Sequence, residues 1–309
     1  MRKLVVLAAA LAAFASLVAA ASAADPAPPT VTPFPAPTLG PVFVAAQTVD
    51  KTGAMQAQFA PGSSVIFRAY AVDSKTKKIV AAKDAKYFYV TIPNQPNVKL
   101  KYDPKAPGAD GKLAWTGTWV IPATYPSGLV AFKVLVKTQW KRSGQFVQMP
   151  VASAMLTITP TPQATLGSGP APTTTAAAAA SSSDVALYVD TVNGTQPVGA
   201  PKRPVGCTQT NVYKRGEQVV LRIWGFDLAA ATVLSTDNVD TATYTIPGLA
   251  APGTLNYGAH GAVGAKVWFW SSPWIVPVGF PLGDMTIHIT FKTDSGKTGT
   301  YDHVVTITP

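Results

Sequence analysis

Apolar positions along this chain come in short bursts and do not keep the spacing of a helix. The stretch Val65-Ile66-Phe67-Arg68-Ala69-Tyr70-Ala71-Val72 is rich in β-branched and aromatic residues, and Asp73-Ser74 ends it with a turn signal. Tyr87–Ile92 follows and is stopped by Pro93-Asn94; then come Lys99–Tyr102, Trp115–Ile121, a Pro/Gly turn, Leu129–Lys137 and a closing run near Thr157–Thr159. No window of a dozen residues holds helical apolar spacing. Short strands separated by Gly, Pro, Asn and Asp predict an antiparallel sandwich of about seven strands.

The same pattern occurs twice. At an offset of 154, Gly62–Asp73 (GSSVIFRAYAVD) lies on Gly216–Asp227 (GEQVVLRIWGFD), and Thr91-Ile92-Pro93 lies on Thr245-Ile246-Pro247. One extra residue moves the offset to 155, and Leu100-Lys101-Tyr102 then meets Leu255-Asn256-Tyr257. Trp115 and Trp119 meet Trp270 and Trp274, and Tyr125-Pro126-Ser127-Gly128 meets Phe280-Pro281-Leu282-Gly283. Both copies close on Thr-Ile-Thr-Pro, at 157–160 and 306–309. Matched aromatics and turn residues over this length indicate an internal duplication.

Low-complexity stretches frame the copies. Residues 24–37 form a Pro-rich leader, and residues 161–183 (TPQATLGSGPAPTTTAAAAASSS) read as a flexible linker. Residues 38–160 and 184–309 are therefore expected to be two domains, free to engage different surfaces. Ahead of them, Arg2 and Lys3, an apolar run from Leu4 and the small-residue site Ala21-Ser22-Ala23 read as a signal peptide over residues 1–23. The expected location is periplasmic or secreted, with no transmembrane segment after cleavage.

The motif W-x-x-P-x-x-x-P-x-G stands at Trp119–Gly128 and again at Trp274–Gly283. In the second copy an alternating strand, the turn Asp294-Ser295-Gly296 and a closing strand follow it. This arrangement resembles the bacterial immunoglobulin-like repeats of exported proteins, with fibronectin type III domains close in architecture. The resemblance implies an all-β chain of two tandem immunoglobulin-like sandwiches. It also implies a role in adhesion, spacing, binding or complex assembly, without choosing among them.

Charge separates the copies. Of the formal net charge of +10, residues 38–160 contribute 15 Lys/Arg against 5 Asp, whereas residues 184–309 carry 8 Lys/Arg against 9 Asp/Glu. Lys75, Lys77, Lys78, Lys83 and Lys86 crowd together in the first copy. An envelope protein or anionic polysaccharide is the expected partner there; export disfavours nucleic acid. The single cysteine, Cys207, excludes an intramolecular disulfide and leaves a buried thiol or a link to a partner chain.

Candidate chemistry concentrates in the second copy. Trp268 and Trp270 share one face of a strand, so with Tyr257 they offer an aromatic surface for a sugar ring. Trp268 is the stronger recognition candidate, because Leu113 stands at its place in the first copy. His260, in the glycine-rich stretch Tyr257-Gly258-Ala259-His260-Gly261, is a further ligand candidate. Trp119 and Trp274 are expected to be structural posts. Arg68 and Arg222, inside apolar strands, need acceptors, which Asp73 and Asp227 at the strand ends or nearby carbonyls can supply. Cys207, His260, His288, His303 and Met285 are soft ligands that suit copper, but their spacing does not match a copper fold, and no metal or cofactor is assigned. Asp237 and Asp240 are weak Ca²⁺ candidates. With no G-x-S-x-G, H-E-x-x-H or CxxC, and one Glu in the chain, the sequence points away from catalysis.

Overall fold

The structure is a computed structural model that describes residues 41–103, 114–147, 155–160, 184–195, 207–260 and 266–309. The expected signal peptide, leader and linker lie outside the described residues. Those described are all-β. The first half holds β1 (Val42–Val49), β2 (Gln58–Phe59), β3 (Ser64–Asp73), β4 (Ala85–Thr91), β5 (Val98–Lys99), β6 (Lys101–Tyr102), β7 (Trp115–Val120), β8 (Gly128–Leu129), β9 (Lys133–Thr138), β10 (Ser143–Val147) and β11 (Thr157–Ile158). The second half holds β12 (Val185–Asn193), β13 (Val212–Lys214), β14 (Gln218–Asp227), β15 (Thr232–Val233), β16 (Val239–Thr245), β17 (Gly253–Thr254), β18 (Asn256–His260), β19 (Val267–Ile275), β20 (Gly283–Thr293) and β21 (Thr298–Thr308).

Strand orders correspond between the halves. One sheet runs β1-β3-β7-β6 in the first half and β12-β14-β19-β18 in the second. The other runs β13-β21-β20-β16-β17 in the second half, whereas the first half divides it into β10-β9-β4-β5 and β2-β11-β8. Backbone turns correspond as well. Gly53, Gly62, Lys77, Asn94, Gly128 and Lys141 have positive φ, and so do Cys207, Gly216, Ala231, Gly248, Gly283 and Gly296, each 154 or 155 residues later. Positive φ is unfavourable for a side chain, so its recurrence at non-glycine residues reflects the surrounding fold and not local preference.

Within each half the sheets meet through interleaved aromatics, with Phe67 against Phe132 and Phe88 against Trp115 in the first, and Trp270 against Phe291 in the second. Trp115 Nε1 donates to the Val80 carbonyl at 2.8 Å, and Trp270 Nε1 to the Leu234 carbonyl at 2.9 Å. Trp119 meets Tyr125 edge-on as Trp274 meets Phe280, and both tryptophans are buried.

The halves do not stand apart. β1 and β12 are buried along their whole length, and a strand buried on both faces must have a partner on each. Part of that cover comes from the opposite half. Gln47 Nε2 donates to the Val189 carbonyl at 2.9 Å, the Tyr70 hydroxyl donates to the Leu187 carbonyl, and the Met55 amide donates to Asn211 Oδ1 at 2.7 Å. Phe43 packs on Phe226 and Phe146 on Tyr188, and Lys77 pairs with Asp184 at 3.3 Å. A flexible connection suggested independent modules; the buried contacts join them into one body.

Candidate functional site

β19 pairs with β18, setting Trp270 opposite Tyr257 and Trp268 opposite Ala259. Trp268 and Trp270 therefore share a face but differ in depth. Trp270 is 5% exposed and tied into the core, whereas Trp268 is 55% exposed at the end of the strand pair. The expected surface containing both tryptophans is corrected accordingly: the sheet covers Trp270 and releases only Trp268. Tyr257 bridges them, with ring centroids 5.5 Å from Trp268 and 5.2 Å from Trp270. The open ring thus rests on a tyrosine that rests on the core. Burial, and after it the Asp237 carboxylate, pushes the Tyr257 phenol above its ordinary pKa, so it stays protonated as a donor at neutral pH. The result is a platform with an aromatic face, a phenol and an exposed carboxylate in its surroundings.

His260 does not project from a loop. It ends β18, and its ring stacks on Phe269 with centroids 4.1 Å apart and planes at 14°. Ser271 Oγ lies 3.2 Å from its Nε2. Burial and then the Arg222 charge lower its pKa, so the imidazole is neutral at pH 7. The strand pairing that carries Trp268 outward turns this side chain onto Phe269.

Of the two arginines, Arg222 differs from expectation. Arg222 takes its acceptor from Asp190 on the adjacent strand and not from Asp227: Nε lies 2.7 Å from Oδ1 and Nη2 lies 2.5 Å from Oδ2. Gln209 Nε2 and the Tyr188 hydroxyl add donors to Asp190 Oδ2 at 3.1 and 3.4 Å. Burial works to lower the Arg222 pKa, and the charge and hydrogen bonds of Asp190 outweigh it, leaving the group above its ordinary value. Arg68 Nη1 lies 3.5 Å from the Gly53 carbonyl. Asp73 and Asp227 instead hold partners from a later hairpin. Arg142 Nε reaches Asp73 at 2.6 Å, Lys297 Nζ reaches Asp227 at 2.6 Å, and each carboxylate also caps two backbone amides of its own turn. All four residues thus hold polar contacts inside the fold. Asp190 was missed because it precedes the matched stretches, and its first-half counterpart is Gln47.

The soft-ligand set does not converge into a metal site. Met285 and His303 are buried, exposed His288 pairs with Asp302 at 2.7 Å, and Asp240 pairs with Lys292 at 3.0 Å. Among the described residues no group of three or more His, Cys, Asp or Glu is placed to hold a metal ion. Cys207 is exposed, with φ of 57° and its amide donating to the Asn193 carbonyl at 2.7 Å. Among the described residues no helix is long and apolar enough to cross a membrane.

No family model matches the chain, and no curated protein matches it. Among solved structures it is similar to SGBP-B of the Bacteroides ovatus mixed-linkage glucan utilization locus, in complex with a mixed-linkage heptasaccharide, at 10% identity and a TM-score of 0.18, covering 82% of this chain and 43% of that one. Dimeric latent PorU from Porphyromonas gingivalis matches at 9% identity and a TM-score of 0.25, covering 88% of this chain and 24% of that one. BcpA, the major pilin subunit of Bacillus cereus, matches at 12% identity and a TM-score of 0.21, covering 86% and 66%. This chain thus spans less than half the length of the first two. Likeness at this level defines no family and carries no function.

Proposed function

We propose that this is an exported, non-catalytic binding protein, built from two tandem immunoglobulin-like sandwiches fused into one body, whose specific site is the Trp268–Tyr257 platform. The paired strand orders and the six pairs of positive-φ positions support a duplicated sandwich. The observation that carries the binding site is Trp268 itself: an indole 55% exposed, backed by Tyr257 at 5.5 Å, on a protein that buries its four matched tryptophans, Trp115, Trp119, Trp270 and Trp274. An open aromatic ring backed by a second ring stacks on the apolar face of a sugar, while nearby carboxylate and hydroxyl groups take the sugar hydroxyls. The ligand class is therefore a carbohydrate. The test is retention of the purified chain on insoluble polysaccharides, with Trp268→Ala as the control. Retention abolished by that substitution, with the fold unchanged, is expected; absence of retention on every glycan tested overturns the site.

A second reading, an accessory or adhesion-like module that contacts envelope proteins, draws on the fused architecture and the unequal charge of the halves. Pull-down from an envelope fraction that recovers one partner in stoichiometric amount, unaffected by Trp268→Ala, would favour it. Export itself is tested by the mass of the mature chain. Cleavage after Ala23 is the expected result, and a full-length chain retained in the cytoplasm contradicts it.

A further inference from the structure

The outer face of β4, β5 and β9 in the first half displays Tyr87, Tyr89, Lys99, Lys133 and Lys137 together. The register places Tyr87 opposite Lys137, Tyr89 between Leu135 and Lys99, and Thr91 opposite Lys133. The inward residues Phe88, Val90, Val134 and Val136 are buried, so the alternation of the strands commits these side chains to the outside. Tyr87 is 39% exposed, and its ring centroid lies 5.1 Å from that of Tyr89. Among the described residues, those that these strands turn outward here (Tyr87, Tyr89, Thr91, Lys99, Lys133, Leu135 and Lys137) include no carboxylate.

The second half shows what the same surface looks like without these groups. At the corresponding places stand Thr241, Thr243, Thr254, His288 and Lys292. There the nitrogen-bearing side chains have carboxylate partners on the surface, His288 with Asp302 and Lys292 with Asp240. Threonine is β-branched and polar, and suffices to make an exposed strand face soluble. The first half replaces it with neighbouring phenols, tilted 40° to one another, and lysines, in a half whose charge of +10 is the whole net charge of the protein. Solubility alone does not require exposed aromatics.

We propose that this tyrosine–lysine face is a second binding surface, distinct from the Trp268 platform, and that its occupant is an acidic polysaccharide. Phenol rings stack on sugar rings, and lysines between them meet carboxylates or sulfates carried by those sugars. An acidic polysaccharide meets both requirements in one ligand; single-stranded nucleic acid also presents rings and anions, and is the alternative the test separates from it.

The full chain is tested by affinity electrophoresis against alginate, a polyuronate, with dextran, polyglutamate and single-stranded DNA as comparisons. Alginate is expected to bind, with affinity falling as salt rises. Combining Lys99→Gln, Lys133→Gln and Lys137→Gln should weaken it about tenfold or more, whereas Lys75→Gln, Lys78→Gln and Lys83→Gln, an equal charge loss outside the face, should stay within about twofold. Tyr87→Thr with Tyr89→Thr, which installs the second half's residues, should weaken alginate several-fold and leave polyglutamate unchanged. Trp268→Ala should leave alginate binding intact. No binding to alginate, equal loss in both lysine sets, or tighter binding of DNA or polyglutamate than of alginate each overturns the proposal.

Discussion

Arg68 and Arg222 occupy the same place in the two halves and solve the same problem in different ways. Each is a buried guanidinium on a central strand, 7% and 3% exposed, and each needs acceptors inside the protein. In the first half the neighbouring strand offers Gln47, and the arginine lies against the Gly53 loop so closely that a Cβ on that glycine would sit 2.8 Å from Nη2. In the second half the neighbouring strand offers Asp190, the guanidinium turns to it with two hydrogen bonds, and the position of Gly53 is occupied by Cys207. A carboxylate on the next strand thus frees the loop from needing glycine. The contrast shows that a duplicated scaffold changes a buried charge and its surroundings as a set.

The largest effect expected from breaking this comparison is at Asp190. Asp190→Ala strands a buried guanidinium and removes the acceptor of Gln209 and Tyr188, and should cost about 3–5 kcal/mol in urea denaturation. Gln47→Ala, at the equivalent place, removes a neutral hydrogen bond to the Val189 carbonyl and should cost about 1 kcal/mol. Similar losses at both positions would mean that the ion pair does not set the difference between the halves.

Next in size are the tryptophans. Trp119→Ala and Trp274→Ala each remove a post packed against Tyr125 or Phe280 and should cost about 3–5 kcal/mol. Trp268→Ala, at an exposed site, should change stability by no more than about 0.5 kcal/mol while removing glycan retention. A large stability loss at Trp268 would make it a structural residue and dissolve the platform.

The parts of this picture that were legible in the sequence are those set by local chemistry. β3 and β14, the matched tryptophans and the turns near Gly62 and Gly216 show in residue type and spacing. β1 and β12 were not picked out, although VFVAAQTV and VALYVDTVN carry a signal: near-continuous apolar runs without alternation are how strands buried on both faces read. What such a run cannot specify is the partner on its second face, here the other half of the chain. The exposure of Trp268 against the burial of Trp270 was equally hidden, since period-2 alternation gives the face and not the distance from the sheet's end. The tyrosine–lysine face is not legible in the sequence because its residues come from three strands and assemble only through pairing register.

Acid separates the halves through His303, which has no counterpart because the first half contains no histidine. Thr191 Oγ1 donates to the Thr210 carbonyl at 2.6 Å, so its oxygen accepts from His303 Nε2 at 3.1 Å, which places a proton on Nε2. Burial lowers its pKa from 6.5 to about 4. Above pH 6.5 both folded and unfolded chains hold it neutral and it contributes nothing to the pH dependence. As pH falls from 6.5 towards 4 the unfolded chain takes up the proton first, and about 3 kcal/mol of stability is lost across that window. His303→Gln, which keeps a donor for Thr191, should flatten the stability profile between those values. Below pH 3.8 the halves converge. Burial works to raise the pKa of Asp73 and Asp227, but their hydrogen bonds from Arg142 or Lys297 and from turn amides hold it lower, so each loses its stabilising contribution as pH falls through that lowered value.

The smallest expected effect returns to Gly53 and Cys207. Cys207 carries a side chain at φ of 57°, a conformation that costs an L-residue about 1–2 kcal/mol, while glycine there loses about 0.5–1 kcal/mol more backbone entropy on folding. Cys207→Gly should therefore leave stability unchanged or raise it by up to about 1 kcal/mol. Gly53→Ala faces both a φ of 87° and the Arg68 guanidinium at 2.8 Å, and should lose about 1–2 kcal/mol. Combining Gly53→Ala with Gln47→Asp gives Arg68 the carboxylate that Arg222 already has. Recovery of most of the loss in the double variant, measured by a double-mutant cycle, is what a coupled set requires; strictly additive losses would show that the two halves differ at each position independently.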